Sequence, residues 1–223
     1  MNVGVLASGS GTNLQALIDR GAKGELGPAR VTVVGVNVPD CAALARARAA
    51  AIPTFVIDHR DYKTRAAFDQ ALLAALRSHQ VDLLVLAGFM RVLGDEVLAA
   101  YPQRVINIHP TLLPAFPGVH AHKQTFDYGV KIAGCTVHFV DGGVDTGPII
   151  AQAVVPVHPG DDEERLSTRI LAAEHRLYPL AVRLVAEGRA RIVAGKVEID
   201  GWRAPSVAAL NPSPPDLLVS PPG

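Results

Sequence analysis

Hydrophobic and polar positions in the first hundred residues fall into short blocks of two kinds. Val3 to Ala7 is an apolar run closed by a Gly/Ser cluster, the pattern of a buried strand. Leu14 to Ile18 has helical character and stops near Gly21 and Gly24. Val31 to Val38 is rich in β-branched residues and predicts a second strand. Ala42 to Ala51 reads as an Ala/Arg-rich helix, and Thr54 to Ile57 as a third, short strand. Between Asp61 and His79 the apolar residues Phe68, Leu72 and Leu76 recur at helical spacing and predict a long helix. Asp82 to Leu86 is a fourth strand, with Gly88 just beyond it. Strands alternating with helices predict an α/β fold with a doubly wound, Rossmann-like, mostly parallel sheet. Ligands in such sheets bind beyond the carboxyl ends of the strands.

The pattern changes at Val105. Val105 to Ile108 is a strand, followed by a Pro-rich loop through Gly118. Cys135 to Val140 and Ile149 to Val157 are strands joined by an Asp/Gly-rich loop. With no long helix between them, this C-terminal half of the sheet is expected to contain antiparallel strands. Asp161 to Glu187 predicts a long helix, with Asp161, Asp162, Glu163 and Glu164 at its positive end. Val197 to Ile199 beside Asp200-Gly201 predicts a small hairpin. The stretch from Asn211 to Gly223 holds five prolines and is expected to be a disordered tail.

Composition narrows the functional classes. The 223 residues suit one domain with a small extension. Lys plus Arg and Asp plus Glu number 21 each, so no basic excess marks a surface for nucleic acid or an anionic membrane. The longest apolar run, Leu83 to Met90, is far shorter than the roughly 20 residues that cross a bilayer. The amino terminus has no basic n-region and its apolar run stops at Ser8, so it does not read as a signal peptide. A cytoplasmic protein is expected. Cys41 and Cys135 form no C-x-x-C pair and read as thiols in a reducing compartment. His120 and His122 lack the further ligands a zinc site needs, so no metal is expected.

Three polar clusters stand at predicted strand ends or loops. Ser8-Gly9-Ser10-Gly11-Thr12-Asn13 joins a strand to a helix start, which is either a phosphate cradle or a tight structural turn. It is neither a Walker A motif nor G-x-G-x-x-G, because no Lys follows and Leu14 stands where the third Gly belongs. In Val105-Ile106-Asn107-Ile108-His109-Pro110, residues two apart face the same way. Asn107 and His109 therefore project together, while Ile106 and Ile108 face the other layer. An amide donor beside a histidine stabilises a developing oxyanion and moves a proton; a lone histidine is otherwise a structural residue. The third cluster runs from Asp141 to Pro148. Its two carboxylates are turn formers, unless Asp145 reaches His109 and favours its imidazolium form. No G-x-S-x-G nucleophile and no H-E-x-x-H pair occurs. The pattern suits direct attack of an amine on a carbonyl carbon.

Four segments occur in order: Ser8-Gly9-Ser10-Gly11-Thr12-Asn13-Leu14-Gln15, Ala87-Gly88-Phe89-Met90-Arg91, Asn107-Ile108-His109-Pro110 with Leu112-Leu113-Pro114, and Asp145-Thr146-Gly147-Pro148-Ile149. Together they resemble the phosphoribosylglycinamide formyltransferases of purine biosynthesis, over roughly residues 1 to 193. The resemblance implies a formyltransferase fold in residues 1–200, with a phosphate- and substrate-binding half (1–100), a folate-binding and catalytic half (101–200), and a Pro-rich tail at 201–223. It implies transfer of the formyl group of 10-formyltetrahydrofolate, a co-substrate, to the amine of glycinamide ribonucleotide, by a monomer or homodimer. Asn107, His109 and Asp145 match the catalytic set: Asn107 holding the formyl oxygen, His109 donating a proton and Asp145 keeping His109 charged. Gly11, Thr12 and Asn13 match the substrate's phosphate segment. Leu171, Ala172, Ala173 and Glu174 match a second substrate segment, with Glu174 against the glycinamide amine. Arg65, Met90, Arg91, Val92, Leu93, Asn107, Asp141, Gly142, Gly143, Val144 and Asp145 match the folate pocket. The family also carries a cis peptide at the position of Leu113-Pro114.

Two related folate enzymes share the Asn, His, Asp core and the Leu-Leu-Pro loop. Methionyl-tRNA formyltransferase resembles the chain in its core but carries an added C-terminal β-domain for tRNA, whereas about 30 residues follow Ile192 here. Formyltetrahydrofolate deformylase has an N-terminal regulatory domain and lacks the Ser8 to Asn13 loop. A non-enzymatic nucleotide or phosphosugar sensor on the same fold would need no Asn, His, Asp set.

Overall fold

The computed structural model describes residues 1–201. The remainder of the Pro-rich tail, and the expectation that it is disordered, lie outside the described residues. Seven strands form one sheet: β1 Asn2–Ala7, β2 Arg30–Val36, β3 Thr54–Val56, β4 Leu83–Leu86, β5 Val105–His109, β6 Ile132–Phe139 and β7 Ile149–Pro156. Their order is β3-β2-β1-β4-β5-β6-β7. The first five run parallel, while β6 is antiparallel to both β5 and β7. The expected doubly wound sheet with antiparallel strands in its C-terminal half is therefore present. Strand order reverses between β1 and β4, which opens the crevice where ligands of such sheets bind.

The helices are α1 Thr12–Ala22, α2 Ala42–Ala49, α3 Arg65–Ser78, α4 Asp95–Ala100, α5 Ala121–Tyr128 and α6 Glu163–Ala186. Period-two strands sort their side chains onto two cores. Val3, Val5, Leu83, Val85, Ile106 and Ile108 pack on one face beneath α1, α2 and α6. Leu6, Leu84, Leu86 and Val105 pack on the other against Phe68, Leu72 and Leu76 of α3 and Val97 of α4. Tyr178 of α6 is fully buried, and its hydroxyl lies 2.8 Å from the Leu86 carbonyl and 3.1 Å from that of Ile106. One phenol thus ties Leu86, at the end of β4, to Ile106 of β5, the two strands that lead into the site.

Several elements differ from the sequence reading. The long helix starts at Arg65, not Asp61, because Thr64 caps it by accepting the Ala67 N–H. His59–Asp61 is instead a separate 3-10 turn capped by Asp58. Helices α4 and α5 were not expected. The first buries little beyond Val97. The second is a mostly polar segment bounded by left-handed residues, His120 and Gly129. The hairpin pairs β8 Ala190–Val193 with β9 Lys196–Ile199 and turns at Ala194-Gly195, both at positive φ, rather than at Asp200-Gly201. Asp161 does not face the dipole of α6 freely: its carboxylate is gripped by both terminal nitrogens of Arg169, at 2.7 and 2.9 Å.

Candidate functional site

The turn between β1 and α1 forms one wall of the crevice. Gly11, the residue before α1, has φ 68°, and a Cβ there would stand 2.6 Å from Ala43 Cα, so only glycine lets the turn close against α2. The Ala43 N–H bonds to Gly9 O at 3.0 Å and Arg46 Nε to Ser10 O at 2.9 Å, which fixes the loop from behind. The first N–H groups of α1 then point outward without intrahelical partners. Ser8 to Asn13, with Ala87, Gly88 and Met90, line a cavity of about 200 Å³. The Ser8 hydroxyl donates to Asn37 Oδ1 at 2.5 Å and accepts the Met90 N–H at 2.8 Å, so this loop is joined directly to the loop after β4.

Asn13, in the lining of that cavity, donates from Nδ2 to Oε2 of Glu174 on α6 at 2.7 Å, and Glu174 is only 5% exposed. Desolvation pushes this carboxyl up to about 7, against the lowering influence of the Asn13 hydrogen bond. Asn13 Oδ1 is buried without a hydrogen-bond partner. Of the segment 171–174, Glu174 alone is buried; Leu171 and Ala173 are half-buried and Ala172 is exposed on α6.

The second centre is at the end of β5. Asn107 and His109 project on the same side, as period two requires, away from the core that holds Ile106 and Ile108. Asp145 arrives from the loop between β6 and β7. A Cβ at Gly147 would stand 1.9 Å from Phe139 O, so that glycine lets the loop fold closely back over β6. His109 Nδ1 lies 3.3 Å from Asp145 Oδ2, and Asn107 Nδ2 lies 3.4 Å from Asp145 Oδ1. His109 is itself buried, and its Nε2 donates to the Phe116 carbonyl at 2.8 Å. Each ring nitrogen of His109 therefore faces an oxygen.

The sequence reading missed His138. The antiparallel register sets it opposite Asn107. Its Nδ1 donates to Phe139 O at 2.7 Å, and Asn107 Nδ2 lies 3.2 Å from the ring Nε2. That nitrogen also lies 3.5 Å from Asp145 Oδ1. The signal was present in the sequence: Thr136 and His138 are polar residues two apart inside an apolar strand. Burial alone would raise the Asp145 carboxyl. Contact with His138, the Gly118 N–H at 2.8 Å and the positive character of His109 and His138 outweigh burial and hold the acid below its ordinary value.

The two carboxylates of the third cluster separate in role. Asp141 Oδ1 accepts from Gly143 N–H at 3.0 Å and Thr146 Oγ1 at 2.6 Å and shapes the turn, leaving Asp145 to reach His109. Gly142 and Gly143 are exposed in that turn. Met90, Val92 and Val144 stand 68%, 56% and 54% exposed, an unusual degree for apolar side chains beside a cluster of buried polar groups. Arg91 is exposed beside them, whereas the Leu93 side chain is buried in the core and its carbonyl accepts from Arg65. The Leu113–Pro114 peptide is cis, as the resemblance implied. Burial pushes the Cys135 thiol up to about 12, which keeps it protonated. Among the described residues, no group of three or more His, Cys, Asp or Glu side chains is placed to hold a metal ion, and no helix is long and apolar enough to cross a membrane.

The doubly wound sheet carries a glycine-rich turn on one side of its crevice and an amide, histidine and carboxylate on the other, and the profile of the formyl transferase family matches residues 1–182. The phosphoribosylglycinamide formyltransferase of Mycobacterium tuberculosis is 47% identical over 201 residues, covering 87% of this chain and 92% of that protein. The crystal structure of glycinamide ribonucleotide transformylase 1 from Symbiobacterium toebii superposes with a TM-score of 0.87 at 53% identity, over 89% of this chain and 93% of the other. The trifunctional purine biosynthetic protein adenosine-3 of Drosophila melanogaster is 49% identical over 191 residues, of which this chain spans only 14% of the length. The chain belongs to the phosphoribosylglycinamide formyltransferase family.

Proposed function

We propose that this chain transfers the formyl group of 10-formyltetrahydrofolate to the amine of glycinamide ribonucleotide, a step of purine biosynthesis, with Asn107, His109 and Asp145 at the reacting atoms. The convergence of two hydrogen-bond donors on one carboxylate at the end of β5 carries the reading. The substrate's phosphate takes the free N–H groups at the start of α1, lined by Gly11, Thr12 and Asn13. Glu174, which accepts from Asn13, takes the glycinamide amine. Arg65, Met90 to Leu93 and Asp141 to Val144 flank the folate, with the exposed side chains of Met90, Val92 and Val144 giving its flat ring system an apolar seat.

The chemistry follows from these positions. The neutral amine attacks the formyl carbon and a C–N bond forms. Negative charge builds on the formyl oxygen, where the Asn107 amide N–H and the His109 Nδ1–H stabilise it. Both are the longer, weaker contacts of their groups, at 3.4 and 3.3 Å, so they turn toward a substrate oxygen at least cost. The shorter contacts, of His109 Nε2 with Phe116 O and of Asn107 Nδ2 with His138 Nε2, keep ring and amide in place. As the bond from the formyl carbon to the folate nitrogen breaks, the proton lost by the amine passes to that nitrogen, with Asp145 as the nearest base to relay it. The reaction takes place in the cytoplasm, on a monomer or homodimer.

The test follows the formyl group itself. With isotopically labelled formyl on the folate, mass spectrometry should find the label on glycinamide ribonucleotide. Label recovered as free formate would overturn the reading.

A further inference from the structure

The loop between β4 and α4 has an anchor that the proposed chemistry does not use. Asp69, on α3, is only 3% exposed. Its Oδ2 lies 3.6 Å from Nε of Arg65, one turn earlier on the same helix. The same carboxylate accepts the Gly94 N–H, and a Cβ at Gly94 would stand 2.1 Å from Oδ2, so the loop backbone rests directly on the acid. Arg65 in turn donates from Nη2 to the Leu93 carbonyl. One buried acid therefore holds the end of the loop twice, at Gly94 directly and at Leu93 through the guanidinium.

Stability alone is a poor account of this acid. Its Oδ1 is buried without a hydrogen-bond partner. Desolvation raises the carboxyl, opposed by the Arg65 charge and the Gly94 N–H. Phe68, Leu72 and Leu73 are its buried neighbours along α3, and an apolar side chain among them would avoid the cost of a half-satisfied buried carboxylate. What the carboxylate does, and an apolar group could not, is fix the direction of a cation that is half-exposed beside the crevice.

We infer that Asp69 is a positioning residue for the folate end of the site: it orients the Arg65 guanidinium and, through it, holds the 90–93 loop in the conformation that receives the folate. The inference rests on the reading of Arg65 and Met90 to Leu93 as folate contacts.

A double-mutant cycle on the full chain tests it, with kcat and both KM values measured for Asp69→Asn, Arg65→Ala and the pair. Asp69→Asn keeps the volume and an acceptor for Gly94 but removes the charge. We expect Asp69→Asn and Arg65→Ala each to raise the KM for 10-formyltetrahydrofolate about tenfold, the effect of one lost charge-assisted contact, with kcat and the KM for glycinamide ribonucleotide unchanged. The pair should be no worse than Arg65→Ala alone. A normal folate KM in Asp69→Asn beside a raised one in Arg65→Ala overturns the inference and leaves the folate reading standing. A full Asp69→Asn effect on top of Arg65→Ala overturns the route through Arg65. A normal folate KM in Arg65→Ala overturns the folate reading and the inference with it. Should Asp69→Asn fail to fold, Gly94→Ala displaces the carboxylate from the loop side: the same selective rise supports the inference, and an unchanged folate KM overturns it.

Discussion

His109 Nδ1 lies 3.3 Å from Asp145 Oδ2, which joins the end of β5 to a loop that the chain forms only after two further elements. The carboxylate also accepts from Gly118 and lies beside Asn107, so replacing Asp145 by Asn keeps the volume and removes the charge. Asp145→Asn should lower kcat by about 10²-fold, because the proposed site loses the negative charge that faces His109 Nδ1. Steady-state kinetics with circular dichroism as a folding control checks this; kcat near wild type would show that the charge is not used.

On the proposed mechanism, Asn107→Ala and His109→Ala each remove one donor to the developing oxyanion. Each should cost on the order of 10²–10³ in kcat. The KM for glycinamide ribonucleotide should change little, since the cradle of Gly11 to Asn13 is a separate wall of the crevice. An effect confined to KM would assign these two side chains to binding instead.

Glu174 makes stability depend on pH. Its carboxyl is raised from 4.5 to about 7 in the folded chain, so between those values the folded state holds a proton that the unfolded state has lost. The stabilisation is fully present below about pH 4.5 and falls as pH rises toward about 7, by an amount on the order of 3 kcal/mol. Glu174→Gln, neutral at every pH, should flatten that decline and be the more stable protein above about pH 7. Melting temperature as a function of pH for both proteins decides it; parallel curves would contradict the assignment.

Tyr178→Phe should act on stability rather than chemistry. The hydroxyl is fully buried between the Leu86 and Ile106 carbonyls, and its loss leaves them without that donor. A cost of about 1–3 kcal/mol is expected, seen as a fall of several degrees in Tm with kcat near wild type. An unchanged Tm would mean that water replaces the phenol.

Gly11→Ala should weaken the cradle. The new methyl meets the Ala43 backbone and the left-handed φ is unfavourable for it, so the turn must shift. The KM for glycinamide ribonucleotide should rise more than that for the folate, which titrations of each substrate resolve.

Much of the fold is legible in the sequence. The parallel half of the sheet followed from short apolar runs separated by helical periodicity, and the common face of Asn107 and His109 followed from period two. What the sequence could not reveal was register. His138 becomes part of the site because antiparallel pairing sets it opposite Asn107, and nothing local in Ile132–Phe139 encodes that alignment. Tyr178 and Asp69 read as helix positions like any other until the layers that enclose them are assembled. Helix α5 escaped because tertiary contacts at Ala121 and Thr125, rather than an apolar stripe, hold it. The sequence offered Asp145 either as a partner for His109 or as a turn former; the path of the loop turns it toward His109 and leaves the turn to Asp141.

The central claim, transfer of a formyl group to an amine, is tested most directly by mixing purified protein with 10-formyltetrahydrofolate and following deformylation by absorbance, with and without glycinamide ribonucleotide. The account predicts loss of the formyl group only when the amine is present, in step with acceptor consumed. Deformylation at the same rate without the acceptor would make this a hydrolase, and contradict it.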